Sequence, residues 1–221
     1  PLPGHIVIGH TRYSTTGASV WQNAQPTFRT TSEGSVALAH NGNLTNTDEL
    51  EALLVEFGTD VPTKKSMDST NDTELVSALM GTYPGLTWEQ IFLDLLPRLE
   101  GAFSLVCLTD NTLYAARDRH GVRPLVLGRL ENGWVVASET AALDIVGASF
   151  VREIDPGELV VIGEAGIRSK RFADATPRGC LFEYVYLARP DTRIAGRNVH
   201  STRLAIGRQL AKEYPVAADL V

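Results

Sequence analysis

Two apolar runs near the start, three amphipathic helix patterns after them and then a succession of hairpin signals predict an α+β protein. Its sheets should pack on each other with helices outside. The first run is Ile6-Val7-Ile8-Gly9 and the second Val36-Ala37-Leu38-Ala39, and both read as strands. A polar block follows each: His10-Thr11-Arg12-Tyr13-Ser14-Thr15 after the first, His40-Asn41-Gly42-Asn43 after the second.

The helices come next. Thr45-Asn46-Thr47-Asp48 opens one whose Leu50, Leu53, Leu54 and Phe57 share a face, with Gly58 closing it. A Lys64-Lys65 loop leads to Asn71-Asp72-Thr73-Glu74, acidic and cap-forming, which starts a second helix running to Met80. Thr87 and Gln90 have capping-box spacing for a third, with Ile91, Leu95 and Leu99 inward and Pro97 kinking or shortening it. From Gly101 the period becomes two. Residues 102–109 and 112–116 pair across Asp110-Asn111, 125–129 and 134–137 across Glu131-Asn132-Gly133, and 159–162 and 167–171 across Glu164-Ala165-Gly166. The polar stretch 172–179 marks a domain boundary, giving a first domain of 1–175 and a second of 176–221. In the second, 181–187 reads as a strand, 202–213 as a helix, and 218–221 as a strand beginning.

Of the 221 residues, 43% are hydrophobic and 21% charged, ordinary for a folded globular chain. The net charge of −6 argues against a nucleic-acid surface. No apolar stretch approaches the ~18 residues of a membrane span, so no membrane partner is expected. The two cysteines argue against a disulfide framework and suggest a reducing, cytoplasmic compartment. Cys107, inside an apolar run, reads as a small buried hydrophobe. The start Pro1-Leu2-Pro3-Gly4, without Met, resembles a point inside a longer protein.

The polar blocks suit a site for a free amino acid. Arg12 matches a carboxylate bidentately, and Asp72 at a helix start can take an ammonium. A salt bridge and a helix cap are the structural alternatives. Asn41-Gly42 reads equally as a tight turn or as an oxyanion site, with the Asn amide and the Gly N–H as donors. His10 and His40, each at the end of a strand, read as a base or as packing or hydrogen-bonding residues. Asp118 to Pro124 invites an active-site reading, and reads first as a turn that positions strands and contacts the second domain.

GHTRYSTTG from Gly9, NAQP from Asn23, HNGNLTN from His40 and NDTEL from Asn71 resemble the class II glutamine amidotransferases. ARDRHGVRPL from Ala116 and CLFEYVYLARPDT from Cys180 narrow this to the glutamine phosphoribosylpyrophosphate amidotransferase family. The resemblance covers essentially the whole chain. It implies a four-layer αββα N-terminal-nucleophile glutaminase, incomplete here, followed by the start of an α/β type I phosphoribosyltransferase domain. Arg12 would bind the glutamine carboxylate, with Tyr13 and Thr15 beside it on a loop. Asp72 would hold the ammonium, and Asn41 and Gly42 would form the oxyanion hole.

The family's nucleophile, an N-terminal cysteine whose α-amino group is the base, would lie before Pro1. The ammonia released would convert phosphoribosyl pyrophosphate to 5-phosphoribosylamine in purine synthesis, with the Mg site beyond Val221. Purine nucleotides as feedback inhibitors and a homotetramer are also implied. Cys180 stands where some members place the first ligand of a [4Fe–4S] cluster. A glutaminase feeding another synthase, such as a glucosamine-6-phosphate synthase, and a non-catalytic glutamine-binding domain are the competing readings.

Overall fold

The structure, a computed structural model, describes residues 4–12, 20–57 and 72–220. Tyr13, Thr15, Gly58, the Lys64-Lys65 loop and Asn71 lie outside them. Its contacts gather the chain into two compact units, residues 1–123 with 154–178, and residues 124–153 with 179–221.

The first unit is built on a six-stranded antiparallel sheet. Its strands are β1 (Thr27–Thr31), β2 (Gly34–Leu44), β3 (Gly101–Leu108), β4 (Leu113–Arg117), β8 (Glu158–Gly163) and β9 (Gly166–Arg171), in that spatial order. Its helices are α1 (Thr47–Glu56), α2 (Asp72–Met80) and α3 (Trp88–Leu95). Register explains the core. Leu38 faces Cys107, Cys107 faces Tyr114 and Tyr114 faces Val161, while Leu105 faces Ala116 and Ala116 faces Leu159. Cross-strand partners share a face, so one side of the sheet is a continuous apolar surface, and Leu50, Leu54, Leu79, Ile91 and Leu95 of the three helices belong to the same core. Each fully buried leucine contributes on the order of 1.5–3 kcal/mol by leaving water. Thr73 and residues Leu75 to Met80 of α2 are buried.

The expected capping box forms. Thr87 Oγ1 accepts from the Gln90 N–H, and Gln90 Oε1 accepts from the Thr87 N–H at 2.9 Å. α3 ends at Leu95, and Pro97 falls in a following 3₁₀ turn, where its missing N–H costs little.

The second unit holds a three-stranded antiparallel sheet in the order β6 (Gly133–Ala137), β5 (Val126–Leu130), β7 (Ser149–Glu153). Helix α4 (Thr140–Ile145) belongs to it, as do the two-residue strands β10 (Arg193–Ile194) and β11 (Arg197–Asn198) and helix α5 (Val199–Glu213). The α+β class and the three hairpins therefore stand: the sheets are antiparallel throughout.

Four local expectations are corrected. Residues 6–9 form no strand, because no neighbouring segment pairs with them among the described residues. Asn41-Gly42 is not a turn: it lies inside β2, which continues to Leu44 because β3 pairs with it up to Gly101. Residues 181–187 are helical, with π-type turns over Glu183–Leu187. Their run Leu-Phe-Glu-Tyr-Val-Tyr-Leu is apolar at nearly every position, so it carries no period to separate helix from strand. Residues 218–220 form no strand.

Candidate active site

The site grows from the last five residues of β2, where the sheet has lost β1. The pairing of β1 ends at Thr27 opposite Leu38, so residues 40–44 have β3 on one side only. In an antiparallel pair, alternate residues turn both backbone groups toward the partner or away from it. Phe103, opposite Gly42, turns both of its own away from β2. Its N–H donates to Asp118 Oδ2 at 3.1 Å, and its carbonyl accepts from the Asp118 N–H at 2.8 Å. His40, Gly42 and Leu44 share one parity and face the side that β1 has vacated. The His40 N–H donates to Gln25 Oε1 at 2.7 Å and the Leu44 N–H to Asp72 Oδ2 at 2.9 Å. Gly42 lies between these two filled positions with its N–H directed the same way.

Gly42 has a positive φ of 154°, and a Cβ there would lie 2.0 Å from the Ala102 carbonyl oxygen and 2.8 Å from His40 Nε2. Only glycine fits. The close approach that demands it is to β3.

The same alternation sends neighbouring side chains to opposite faces of the sheet. His40 joins the helix-covered face, opposite Leu105, and its Nδ1 meets Asp72 Oδ1 at 3.2 Å. Asp72 is the first residue of α2, so the helix pattern places it and β2 orients it. Its burial disfavours the charge, but hydrogen bonds from His40 and Leu44 outweigh that and hold the carboxyl below its ordinary pKa. A charged carboxylate with lone pairs left over remains available to a cation.

Asn41 projects to the other face, in a cross-strand row with Ser104 and Arg117. Over this row lies the loop 118–123. Arg117, 6% exposed, donates from Nε to the Arg123 carbonyl at 2.8 Å, from one terminal nitrogen to the Ile154 carbonyl at 2.9 Å and from the other to the Gly121 carbonyl at 3.0 Å. Ser104 Oγ donates to the same Arg123 carbonyl at 3.1 Å. Asp118, 1% exposed, accepts from the N–H groups of Phe103, His120 and Val122. Gly121 turns at φ 59°, and a Cβ there would lie 2.7 Å from Pro156. The loop held this way delivers Arg123, whose Nε donates to Asn41 Oδ1 at 2.9 Å.

Arg12 is half-buried. Its charge reaches His10, whose pKa is lowered first by burial and then by Arg12 and His40. His10 is thus within reach of Arg12 and His40, and His40 in turn meets Asp72. Arg123 is the residue that sequence reasoning misses. Its signal is the density of opposite charges in Arg117-Asp118-Arg119-His120 at the end of the apolar run Leu113-Tyr114-Ala115-Ala116. Charges so placed belong to a buried network more readily than to a solvated turn.

The thiols do not complete a cofactor site. Cys107 is fully buried on β3, and burial pushes its thiol well above the ordinary value, so it is neither a nucleophile nor a ligand. Cys180 is free, and among the described residues no group of three or more His, Cys, Asp or Glu converges as a metal site. One thiolate does not fit a [4Fe–4S] cluster, which takes four. No helix among the described residues is long and apolar enough to cross a membrane.

Residues 10–145 match the family model described as a glutamine amidotransferase domain. The amidophosphoribosyltransferase of Mycobacterium tuberculosis (strain ATCC 25618 / H37Rv) is 59% identical over 222 residues, covering all of this chain and 42% of that protein. The Bacillus subtilis (strain 168) amidophosphoribosyltransferase is 40% identical over 222 residues, again over the whole chain and 45% of its own length. Among solved structures, the glutamine phosphoribosylpyrophosphate amidotransferase from B. subtilis complexed with ADP and GMP superposes with a TM-score of 0.84. It is 39% identical, and the match covers 95% of this chain and 44% of that one. A structure described as the allosteric regulatory enzyme of purine biosynthesis gives a TM-score of 0.86 at 39% identity, with the same coverage. The chain thus spans less than half the length of these relatives.

Proposed function

The chain belongs to the glutamine amidotransferase domain family, and on that premise we propose that it is the glutamine-binding part of an amidophosphoribosyltransferase. The whole protein hydrolyses glutamine and passes the ammonia to phosphoribosyl pyrophosphate, forming 5-phosphoribosylamine for purine biosynthesis. The match of the relatives to the entire chain, residues 179–221 included, supports this acceptor over the sugar acceptor of a glucosamine-6-phosphate synthase.

Arg12 takes the glutamine α-carboxylate, with Tyr13 and Thr15 beside it, and Asp72 takes the α-ammonium. Asn41 and the Gly42 N–H receive the oxygen that becomes negative when the side-chain amide is attacked. The observation that carries this reading is the β2 edge. Gly42 lies between two positions whose N–H groups are already taken, on the side where the sheet stops. A donor fixed there before the reaction needs no reorganisation as charge develops. The attacking group is the N-terminal cysteine of the longer protein that the family resemblance implies, and Cys107 is sealed in the core. Magnesium for the pyrophosphate, feedback by purine nucleotides, a homotetramer and a cytoplasmic location complete the proposal. Any iron–sulfur cluster would need three further thiolates in the longer protein, and iron and acid-labile sulfide content would decide it.

The test is glutamine hydrolysis by the full-length protein. Arg12→Ala should raise the glutamine KM roughly 100-fold, the ~2.7 kcal/mol expected for a charge-assisted bidentate contact. Asn41→Ala should lower kcat by about 10²–10³ with less effect on KM. An unchanged KM removes Arg12 from the pocket, and an unchanged kcat removes Asn41 from the oxyanion site.

A further inference from the structure

We infer that Arg123 is a positioning residue for glutamine hydrolysis: it fixes the Asn41 amide so that Oδ1 faces the guanidinium and Nδ2 remains to donate to the oxyanion.

An Asn side chain is nearly symmetric in shape, and its oxygen and nitrogen exchange places by a half-turn about its last torsion. In an oxyanion site only one orientation works. With Nδ2 toward the substrate the residue stabilises developing negative charge, and with Oδ1 there it opposes that charge. Something must choose, and β2 cannot, because the backbone is the same for both. Arg123 can. A guanidinium is donor-only, so the Asn41 atom 2.9 Å from Arg123 Nε must be the oxygen. The half-turned amide would aim two N–H groups at a cation.

The surroundings of Arg123 are what this role requires. A long side chain on a loose loop would select weakly, because ordering it costs entropy. Arg123 is instead anchored at its own carbonyl by two donors, Arg117 Nε and Ser104 Oγ. Both lie in the cross-strand row that contains Asn41. The loop between is closed by Asp118 on the N–H groups of Phe103, His120 and Val122, and Phe103 is the β3 partner of Gly42. One buried pair, Arg117 and Asp118, thus locks the loop that orients Asn41 and the strand that backs Gly42. A guanidinium on the amide oxygen also polarises the amide, which strengthens Nδ2 as a donor.

The inference rests on the proposed oxyanion role of Asn41, and the test separates the two. Glutamine hydrolysis is measured for the full-length protein as wild type, Arg123→Met, Arg123→Lys, Asn41→Ala and the Met/Ala double variant. Arg123→Met keeps the stem and removes the donor. It should lower kcat about 10–100-fold, below the 10²–10³ for complete loss of a donor, with KM within about threefold and the melting temperature little changed. In the Asn41→Ala background the same substitution should cost less than about twofold, because the amide it orients is gone. Arg123→Lys retains a cationic donor and should recover kcat to within about fivefold of wild type.

Losses that simply multiply in the double variant, a loss that falls on KM, or an Arg123→Lys as poor as Arg123→Met would each overturn the role of Arg123 while leaving Asn41 in place. An Asn41→Ala variant with wild-type kcat would instead remove the oxyanion reading, and this inference with it.

Discussion

Loop 117–123 in the first unit and segment 189–198 in the other are similar in composition, each a polar run dense in Arg and Asp, yet they are held by opposite logic. In the former, two buried charges at the strand end capture the loop backbone and tie it to its surroundings: Arg117 binds the carbonyls of Gly121, Arg123 and Ile154, and Asp118 the N–H groups of His120, Val122 and Phe103. The arginine that follows is thereby presented to a neighbouring side chain. In the latter, the captors lie elsewhere in the same unit. Glu139, before α4, accepts from the Arg189 N–H at 3.0 Å and from Thr192 Oγ1 at 2.6 Å. Thr140 Oγ1 accepts from the Arg193 N–H, and Glu153 from the Ala195 N–H. Arg189 closes on Asp191 within the segment itself. A polar loop that offers a side chain to a site and one that only fastens its own turn differ in where the last donor points, not in composition.

The comparison can be broken at four places. The largest effect is expected from Gly42→Ala, on the β2 edge beside Asn41, the residue that Arg123 contacts. Its Cβ meets backbone at 2.0 Å, which β3 cannot yield without moving. Glutamine hydrolysis should fall more than 100-fold, and the melting temperature should drop by the equivalent of ~3 kcal/mol or more, the upper end for overpacking. Next is Asp118→Ala, which strands three N–H groups, that of Phe103 buried. A loss of roughly 3 kcal/mol in stability should accompany a fall in kcat for hydrolysis, because the loop that carries Arg123 is released.

Glu139→Ala sharpens the contrast. It removes acceptors from a partly exposed turn, so thermal unfolding should show about 1–2 kcal/mol, while kcat and KM for glutamine hydrolysis stay at wild-type values. A change in hydrolysis there would erase the distinction between the two loops. The smallest effect is a pH dependence. The pKa of His10 is lowered in the folded protein from its ordinary 6.5, so the folded state resists protonation. The resulting penalty is absent above pH 6.5 and grows as pH falls toward the lowered value. His10→Asn should flatten the acid side of the stability profile in that window and leave it unchanged above pH 7, as read by thermal melts at stepped pH.

Much of this fold is legible in the sequence. The Thr87–Gln90 capping box, the helix start at Asp72 and all three hairpins follow from local rules, because caps and turns are satisfied by residues a few positions away. Motif order together with the family resemblance is the basis for proposing Arg12, Asp72 and Asn41 as one pocket. Two kinds of feature are not legible. Asn41-Gly42 has the chemistry of a tight turn, and only pairing with residues about sixty positions on makes it strand. The run 181–187 is apolar almost throughout, so its helical state depends on surroundings rather than on period.

By itself the sequence determined the parts: an α+β fold, a helix that begins on an aspartate, and an Asn-Gly pair preceded by histidine. Those choices are set by backbone propensity and short-range hydrogen bonding, which act within a few residues. Tertiary structure decided their use. The end of β1 at Thr27 leaves the N–H side of β2 open, alternation sends His40 to one face and Asn41 to the other, and a loop 82 positions away settles which atom of the Asn41 amide is available. Such decisions need groups distant in sequence to share one hydrogen bond, and a hydrogen bond is specific only once both ends are held in place.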